Sequence, residues 1–134
     1  MQYLLRVSDT HAHYIDVTCR IEAITGSVLD LQLPAWRPGR YQLQHFAKNI
    51  CTFAVFDQHE QPLPCQKISQ DGWQVQTNGA TAVEARYSYY GLLPGQNRLD
   101  AGSSYADSTH FWCINPVNLC LASDGNYQAS SLTY

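Results

Sequence analysis

One stretch decides how this chain folds: Leu31-Gln32-Leu33-Pro34-Ala35-Trp36-Arg37-Pro38-Gly39-Arg40-Tyr41. It begins with leucines that alternate with polar residues, which is typical of a strand with one buried face. Pro34 cannot donate to a strand ladder, and Pro38-Gly39 favours a turn, so we expect the strand to end here. A tryptophan and a tyrosine therefore lie beside a loop that two prolines stiffen.

The same alternation recurs along the chain. The run 13–23 places four apolar residues on one face: Ile15, Val17, Cys19 and Ile21. The run 81–90 does so again: Val83, Ala85, Tyr87 and Tyr89. Turn signals separate these runs, and Thr25-Gly26-Ser27 predicts a hairpin between the strands on either side of it. We predict an all-β fold, an antiparallel β-sandwich of about eight or nine short strands, with a barrel as the related alternative.

The length of 134 residues suits one domain with a core of its own. We predict that residues 1–123 form the β-sandwich. Residues 124–134 are mostly polar and lack a pattern, which indicates a polar tail or the start of a linker.

Composition disfavours several function classes. The formal net charge is −3 and the basic residues are scattered, so nucleic-acid binding is not expected. No apolar run approaches the ~18 residues of a membrane span. The N-terminus has no basic n-region followed by a long apolar stretch, so we expect a cytoplasmic protein. A leader removed from a longer precursor would instead mean a secreted or periplasmic one.

Five cysteines at irregular spacing make a poor disulfide framework, and no C-x-x-C pair indicates a structural zinc site. We expect free thiols in a reducing compartment.

The stretch 31–41 resembles the L-P-x-W-x-P-G-x-Y signature of the N-terminal β-domain of the glycyl aminopeptidase family. The residues that match this signature, and to which the resemblance assigns a structural role, are Leu33, Pro34, Trp36, Pro38, Gly39 and Tyr41. Later segments also resemble the family pattern: 57–63, Lys67, Trp73, 87–90 and 97–100. Members are zinc metallopeptidases in which a thermolysin-like catalytic domain follows the β-domain, usually with a PDZ domain after it.

The resemblance implies a non-catalytic domain. The H-E-x-x-H motif that holds zinc does not occur; His59-Glu60 begins one, but Pro62 breaks it. We therefore expect no catalytic residue, metal or cofactor on this chain, with zinc in a catalytic domain that lies outside it. The expected partner is that domain in cis, with a peptide as substrate of the intact enzyme, and the isolated chain could form a homodimer. Arg98 and Asp100 would line the rim of the substrate cleft or form a structural ion pair.

Other hypotheses stay open beside this one. His11 and His13, two residues apart on a strand, could chelate a metal or be two surface histidines. The run 107–110 contains Asp, Ser and His but no G-x-S-x-G elbow, so a small β-barrel enzyme is the weakest alternative. The three tryptophans and nine tyrosines could form a platform on a stand-alone module that binds carbohydrate or extended peptide. They could equally fill the core, which we expect for Trp36.

Overall fold

The computed structural model describes residues 1–7, 11–35, 43, 45–91, 105–106, 112–113, 120, 122–123 and 131–133. Within them lie one 3-10 helix, Phe46–Asn49, and eleven strands. The longer strands are β1 Gln2–Arg6, β2 Tyr14–Glu22, β3 Val28–Gln32, β4 Ile50–Asp57, β6 Gly72–Gln76 and β7 Ala82–Tyr90. The shorter ones are β5 Cys65–Lys67, β8 Tyr105–Ala106, β9 Trp112–Cys113, β10 Ala122–Ser123 and β11 Ser131–Thr133.

Two sheets form the sandwich. The five-stranded sheet has the order β11-β1-β2-β7-β4, and the four-stranded sheet has the order β10-β3-β6-β5. Strands β8 and β9 pair separately. All described pairs are antiparallel except β1 with β11. The prediction of an all-β sandwich is confirmed, although the described strands outnumber the predicted eight or nine because several contain only two or three residues.

Strict alternation determines which residues enter the core. Strands β2 and β7 pair over nine residues, from Tyr14 opposite Tyr90 to Glu22 opposite Ala82. The predicted inward sets of both strands are buried: Ile15, Val17, Cys19, Ile21, Val83, Ala85, Tyr87 and Tyr89. A period of two places every second side chain on the same side of a sheet, so these residues face the four-stranded sheet.

The predicted hairpin between β2 and β3 is wrong. Strand β2 pairs with β1 and β7, whereas β3 pairs with β6 and β10, so the residues between them carry the chain from one sheet to the other. This crossing is anchored to neighbouring loops: the Ile24 N–H donates to the Thr81 carbonyl at 3.1 Å, and the Thr77 N–H donates to the Ser27 carbonyl at 3.0 Å. The crossing lets both apolar faces meet across the core. Strands β5 and β6, by contrast, are consecutive and pair antiparallel as a hairpin.

Strand β11 lies inside the segment for which a tail or linker is predicted. It runs parallel to β1, with Ser131 opposite Gln2 and Thr133 opposite Leu4. The domain boundary after residue 123 stays a prediction.

Candidate functional site

The signature loop is described only where it begins. Leu33 is fully buried, at 0% exposed, and its backbone N–H donates to the Asp71 carbonyl at 2.8 Å. Strand β3 ends at Gln32, and the half-buried Pro34 follows Leu33 outside the ladder. The other signature residues lie outside the described part of the chain: Trp36, Pro38, Gly39 and Tyr41. Their structural role stays a prediction.

The two proposed rim residues, Arg98 and Asp100, also lie outside the described residues, as do Asp107, Ser108 and His110. Their assignment to a cleft, an ion pair or a catalytic group therefore stays a prediction.

The two histidines of the candidate metal pair do not share a strand face. Residues 11–13 form a turn, and β2 begins only at Tyr14. His13 has a left-handed backbone with φ 58°, and its carbonyl accepts a hydrogen bond from the Gly91 N–H at 2.7 Å. Left-handed backbone interrupts the strand periodicity on which the shared face depends. Among the residues that the structure describes, no group of three His, Cys, Asp or Glu side chains is placed to hold a metal ion.

The buried aromatic residues fill the core. Trp73, at 5% exposed, stacks on Phe53 with ring centroids 4.5 Å apart, and Phe53 stacks in turn on Tyr87 at 5.7 Å. This stack joins β6 of one sheet to β4 and β7 of the other, with the Lys67 ammonium 5.2 Å from the Trp73 ring. Trp73 and Tyr87 therefore cannot serve as an external platform, and the buried Tyr89 is likewise unsuitable.

A second aromatic group lies outside the core, at one end of the five-stranded sheet. We call it the outer aromatic patch and define it as His13, Tyr14, Cys51 and Tyr90. Tyr14 and Tyr90 lie opposite each other on β2 and β7, and their rings are tilted with centroids 5.5 Å apart. The His13 ring meets the Tyr90 ring edge-on at 6.4 Å. Tyr14 is 36% exposed, so the patch presents an amphipathic ring to the surroundings.

Cys51 joins the patch through an irregularity of β4. The register of β4 against β7 shifts between Ile50 and Thr52, which leaves Cys51 unpaired with β7 and exposed. Its thiol donates to the Asn49 carbonyl at 3.6 Å. Negative charge on Cys51 raises the pKa of the Tyr14 phenol, and the hydrogen bond between the two side chains acts in the same direction. Tyr14 therefore reaches across β7 to the edge strand.

Polar and charged groups lie beside the patch on this outer face and bond to one another, whereas the 40%-exposed Leu4 of β1 is an aliphatic residue of the same face. The Ser88 hydroxyl donates to Asp16 at 2.7 Å. The Arg86 guanidinium donates to Glu60 at 2.7 Å, pairs with Glu84, and lies 4.7 Å from the Phe56 ring. Hydrogen bonds to the two carboxylates raise the pKa of Arg86. This network is a solvated rim beside the patch.

The outer face of the four-stranded sheet has a different character. Alternation with the buried Leu31, Trp73 and Val75 directs mostly amides outward, together with the Asp30 carboxylate and the 41%-exposed Val28. The Gln74 amide donates to Asp30 at 3.0 Å across β3 and β6. Apart from Val28 this face is polar, and it offers no aromatic anchor among its described side chains.

Two thiols belong to the core or pack against it: Cys19 on β2 is buried, and Cys120 is half-buried. Burial is the main cause that raises the pKa of Cys19 to about 12 and that of the half-buried Cys120 to about 11. Both stay protonated at neutral pH, so neither is an activated nucleophile.

The outer aromatic patch is absent from the sequence predictions as a site, but a signal for it exists. If Ile15 and Tyr89 face inward, alternation directs Tyr14 and Tyr90 outward as a cross-strand pair.

Comparison with solved structures now defines the class of protein. Four solved chains match. One is an aminopeptidase N family protein from Idiomarina loihiensis, which is 29% identical with a TM-score of 0.79. The match covers 92% of this chain but only 20% of that chain, so the sandwich corresponds to one domain of a much longer aminopeptidase-like protein. The comparison with curated proteins finds no match.

The family follows from the sequence. The family model of the Peptidase M61 N-terminal domain matches residues 2–132. The chain belongs to this family, which confirms the resemblance to the N-terminal β-domain of glycyl aminopeptidases. In the described part of the chain, no helix is long and apolar enough to cross a membrane.

Proposed function

We propose that this chain is the non-catalytic N-terminal domain of a glycyl-aminopeptidase-like metallopeptidase. It packs on a catalytic zinc domain that lies outside the chain and helps to shape substrate access. The observation that carries the proposal is the family match over residues 2–132. The match to the Idiomarina loihiensis aminopeptidase N family protein also supports the proposal. It covers only 20% of that chain, so a protein of that size has room for a catalytic domain as well.

The zinc of this proposal belongs to the partner domain. His11 and His13 lie in a turn rather than on a common strand face, and the described residues contain no three-ligand group. The donor set of the described residues therefore does not fit a catalytic zinc ion, and no step of the reaction is assigned to them. We propose that the parent enzyme is cytoplasmic.

The fold is suited to forming one side of a substrate cleft. The Phe53–Trp73 stack and the buried faces of β2 and β7 fasten the two sheets together. A rigid sandwich that narrows one side of a cleft excludes long chains and favours the free N-terminus of a short peptide. Such positioning accelerates a reaction only when the geometry is held firmly.

The test compares the 134-residue chain with the intact parent enzyme, using a glycyl anilide as substrate and metal analysis of both proteins. We expect the parent to contain zinc and to hydrolyse the anilide until a chelator removes the metal. The chain alone should do neither. Chelator-sensitive turnover by the chain alone, or a parent without metal-dependent peptidase activity, would overturn the proposal.

The alternative is a stand-alone module that binds carbohydrate or extended peptide through exposed aromatic residues. The burial of Trp73, Tyr87 and Tyr89 removes three of its candidate contacts. Among the described side chains, its remaining support is the Tyr14–Tyr90 pair of the outer aromatic patch. The experiment that closes the next subsection also tests this alternative.

A further inference from the structure

We infer that the outer aromatic patch is the surface by which this domain docks on the catalytic domain of its own chain. This inference rests on the proposed function and adds to it the location of the contact. Three independent features of the described residues lead to it: the chemistry of the patch, the direction in which the chain leaves the sheet, and the bulge at Cys51.

The first feature is chemical. Tyrosine is enriched where interfaces bind most strongly, because it buries a large apolar ring while its hydroxyl keeps a polar partner. Tyr14 is 36% exposed, and Tyr90 supports its ring from the neighbouring strand. The other outer surfaces that the structure describes lack this combination of an exposed aromatic ring with a hydroxyl. Beside the patch, Arg86 is already paired with Glu60 and Glu84, and the described outer face of the four-stranded sheet carries amides, Asp30 and the aliphatic Val28.

The second feature is the direction of the chain. Strand β1 runs from Gln2, opposite Arg20, to Arg6, opposite Asp16, and therefore points to the end of β2 that carries Tyr14. Strand β11 is parallel to β1 and ends at Thr133, opposite Leu4. Leu4 lies opposite Thr18, four residues from Tyr14, and β11 is two strands from β2. At about 3.3 Å per residue and about 4.8 Å per strand, the end of β11 lies about 16 Å from Tyr14. A domain that follows β11 thus begins at the end of the sheet where the patch lies.

The third feature is the bulge. Strand β4 is an edge of the five-stranded sheet, and edge strands invite another strand to pair with them. The irregularity between Ile50 and Thr52 disrupts the regular ladder at the end of β4 that carries Cys51. A partner at this end therefore meets side chains, rather than extending the sheet through the backbone. This favours a folded domain over an extended peptide or a second copy that pairs along the edge.

Two exposed thiols provide a matched pair of probes. Cys51 belongs to the patch, and Cys65 lies on the edge strand β5 of the other sheet. Maleimide labelling of each cysteine would be timed by peptide mass spectrometry, in the isolated chain and in the intact parent enzyme. We expect Cys51 to react at least about tenfold more slowly in the parent, since protection by that factor needs only a closed-to-open ratio of about ten. Cys65 should react at the same rate in both proteins.

A pair of variants identifies the cause of any protection. Tyr14→Asp places a charge in the patch, and Val28→Asp places one at a strand position of similar exposure, 36% against 41%, on the other sheet. In the parent enzyme, Tyr14→Asp should restore Cys51 labelling to the rate of the isolated chain, while Val28→Asp should leave it slow. Circular dichroism of both variants checks that they remain folded.

The outcomes separate this inference from the proposed function. An active zinc enzyme in which Cys51 stays fully reactive, or in which Cys65 is protected instead, overturns the docking surface and leaves the function standing. A parent without metallopeptidase activity overturns the function itself. Protection of Cys51 in the isolated chain at high protein concentration would assign the patch to a contact with a second copy. Protection on addition of an oligosaccharide or an extended peptide would assign it to a binding module. Either result would refute the inference.

Discussion

Replacing Leu33 tests whether the signature stretch acts through the core. Leu33 is 0% exposed, lies directly after β3, and belongs to the same buried cluster as Leu31 and Val75. Leu33→Ala removes buried methyl and methylene groups and leaves a cavity, so we expect the free energy of unfolding to fall by about 3–5 kcal/mol. At an unfolding entropy of about 2.1 cal/mol/K per residue, the lower value corresponds to a drop in Tm of about 10 °C for a chain of this length.

Leu43→Ala is the matched control, because Leu43 is 68% exposed and the chemical change is identical. We expect this control to stay within about 0.5 kcal/mol of the parent chain. Urea unfolding followed by tryptophan fluorescence gives both values, and an unchanged m-value would show that the unfolded state is not altered. If the two variants differ by less than about 1 kcal/mol, Leu33 does not act through burial, and the signature must act by presenting its loop to a partner.

Three further predictions concern hydrogen bonds, ion pairs and pH. Thr77 is buried, and its hydroxyl donates to the Gly26 carbonyl at 2.6 Å. Thr77→Val should therefore lower the free energy of unfolding in urea by about 1–2 kcal/mol. Thr81→Val, at an exposed site, should lower it much less. Arg86→Gln should cost less than about 1 kcal/mol, and the loss should shrink in 0.5 M salt, because its ion pairs are partly exposed. Burial raises the pKa of Cys19 from 9.0 to about 12, so the folded chain holds the proton longer than the unfolded chain. The free energy of unfolding should therefore fall as pH rises above about 9, and it should fall less steeply in Cys19→Ala. Urea titrations from about pH 8 to 11 measure both slopes, and equal slopes in the two proteins would contradict this prediction.

Much of the fold could be predicted because β-strands have a strict period. The inward sets of β2 and β7 depend only on alternation, which is why Ile15 and Tyr87 are correctly assigned to the core. Strand pairing is different, because alternation states which face of a strand is buried but not which strand lies beside it. The wrong hairpin between β2 and β3 shows this limit: the chain does bend at residues 26–27, but this segment joins two sheets.

The candidate site was harder to predict than the fold. Alternation places Tyr14 and Tyr90 on the outer face, yet the contact between Tyr14 and Cys51 depends on a bulge in β4 that has no obvious sequence signal. His11 and His13 do not share a strand face as expected, because His13 has a left-handed backbone and β2 begins only at Tyr14. The bulge in β4 and the start of β2 after His13 both depend on backbone geometry that the alternation of apolar and polar residues does not specify.

The proposed docking surface is mechanically continuous with the core. Tyr14 adjoins Ile15, and Tyr90 adjoins Tyr89, so each of the two patch tyrosines is fixed by a neighbour that is buried on the opposite face of the same strand. The Asn49 amide donates to the Tyr89 hydroxyl at 2.9 Å, which ties the start of β4 to this end of β7. A patch held in this way cannot shift without disturbing the core, because packed interiors resist deformation. Contact with the catalytic domain would therefore set the position of the whole sandwich against the cleft. Docking and folding can then be separated experimentally: a patch substitution such as Tyr14→Asp should alter the preference for free over blocked peptide N-termini, whereas Leu33→Ala should lower stability and leave that preference unchanged.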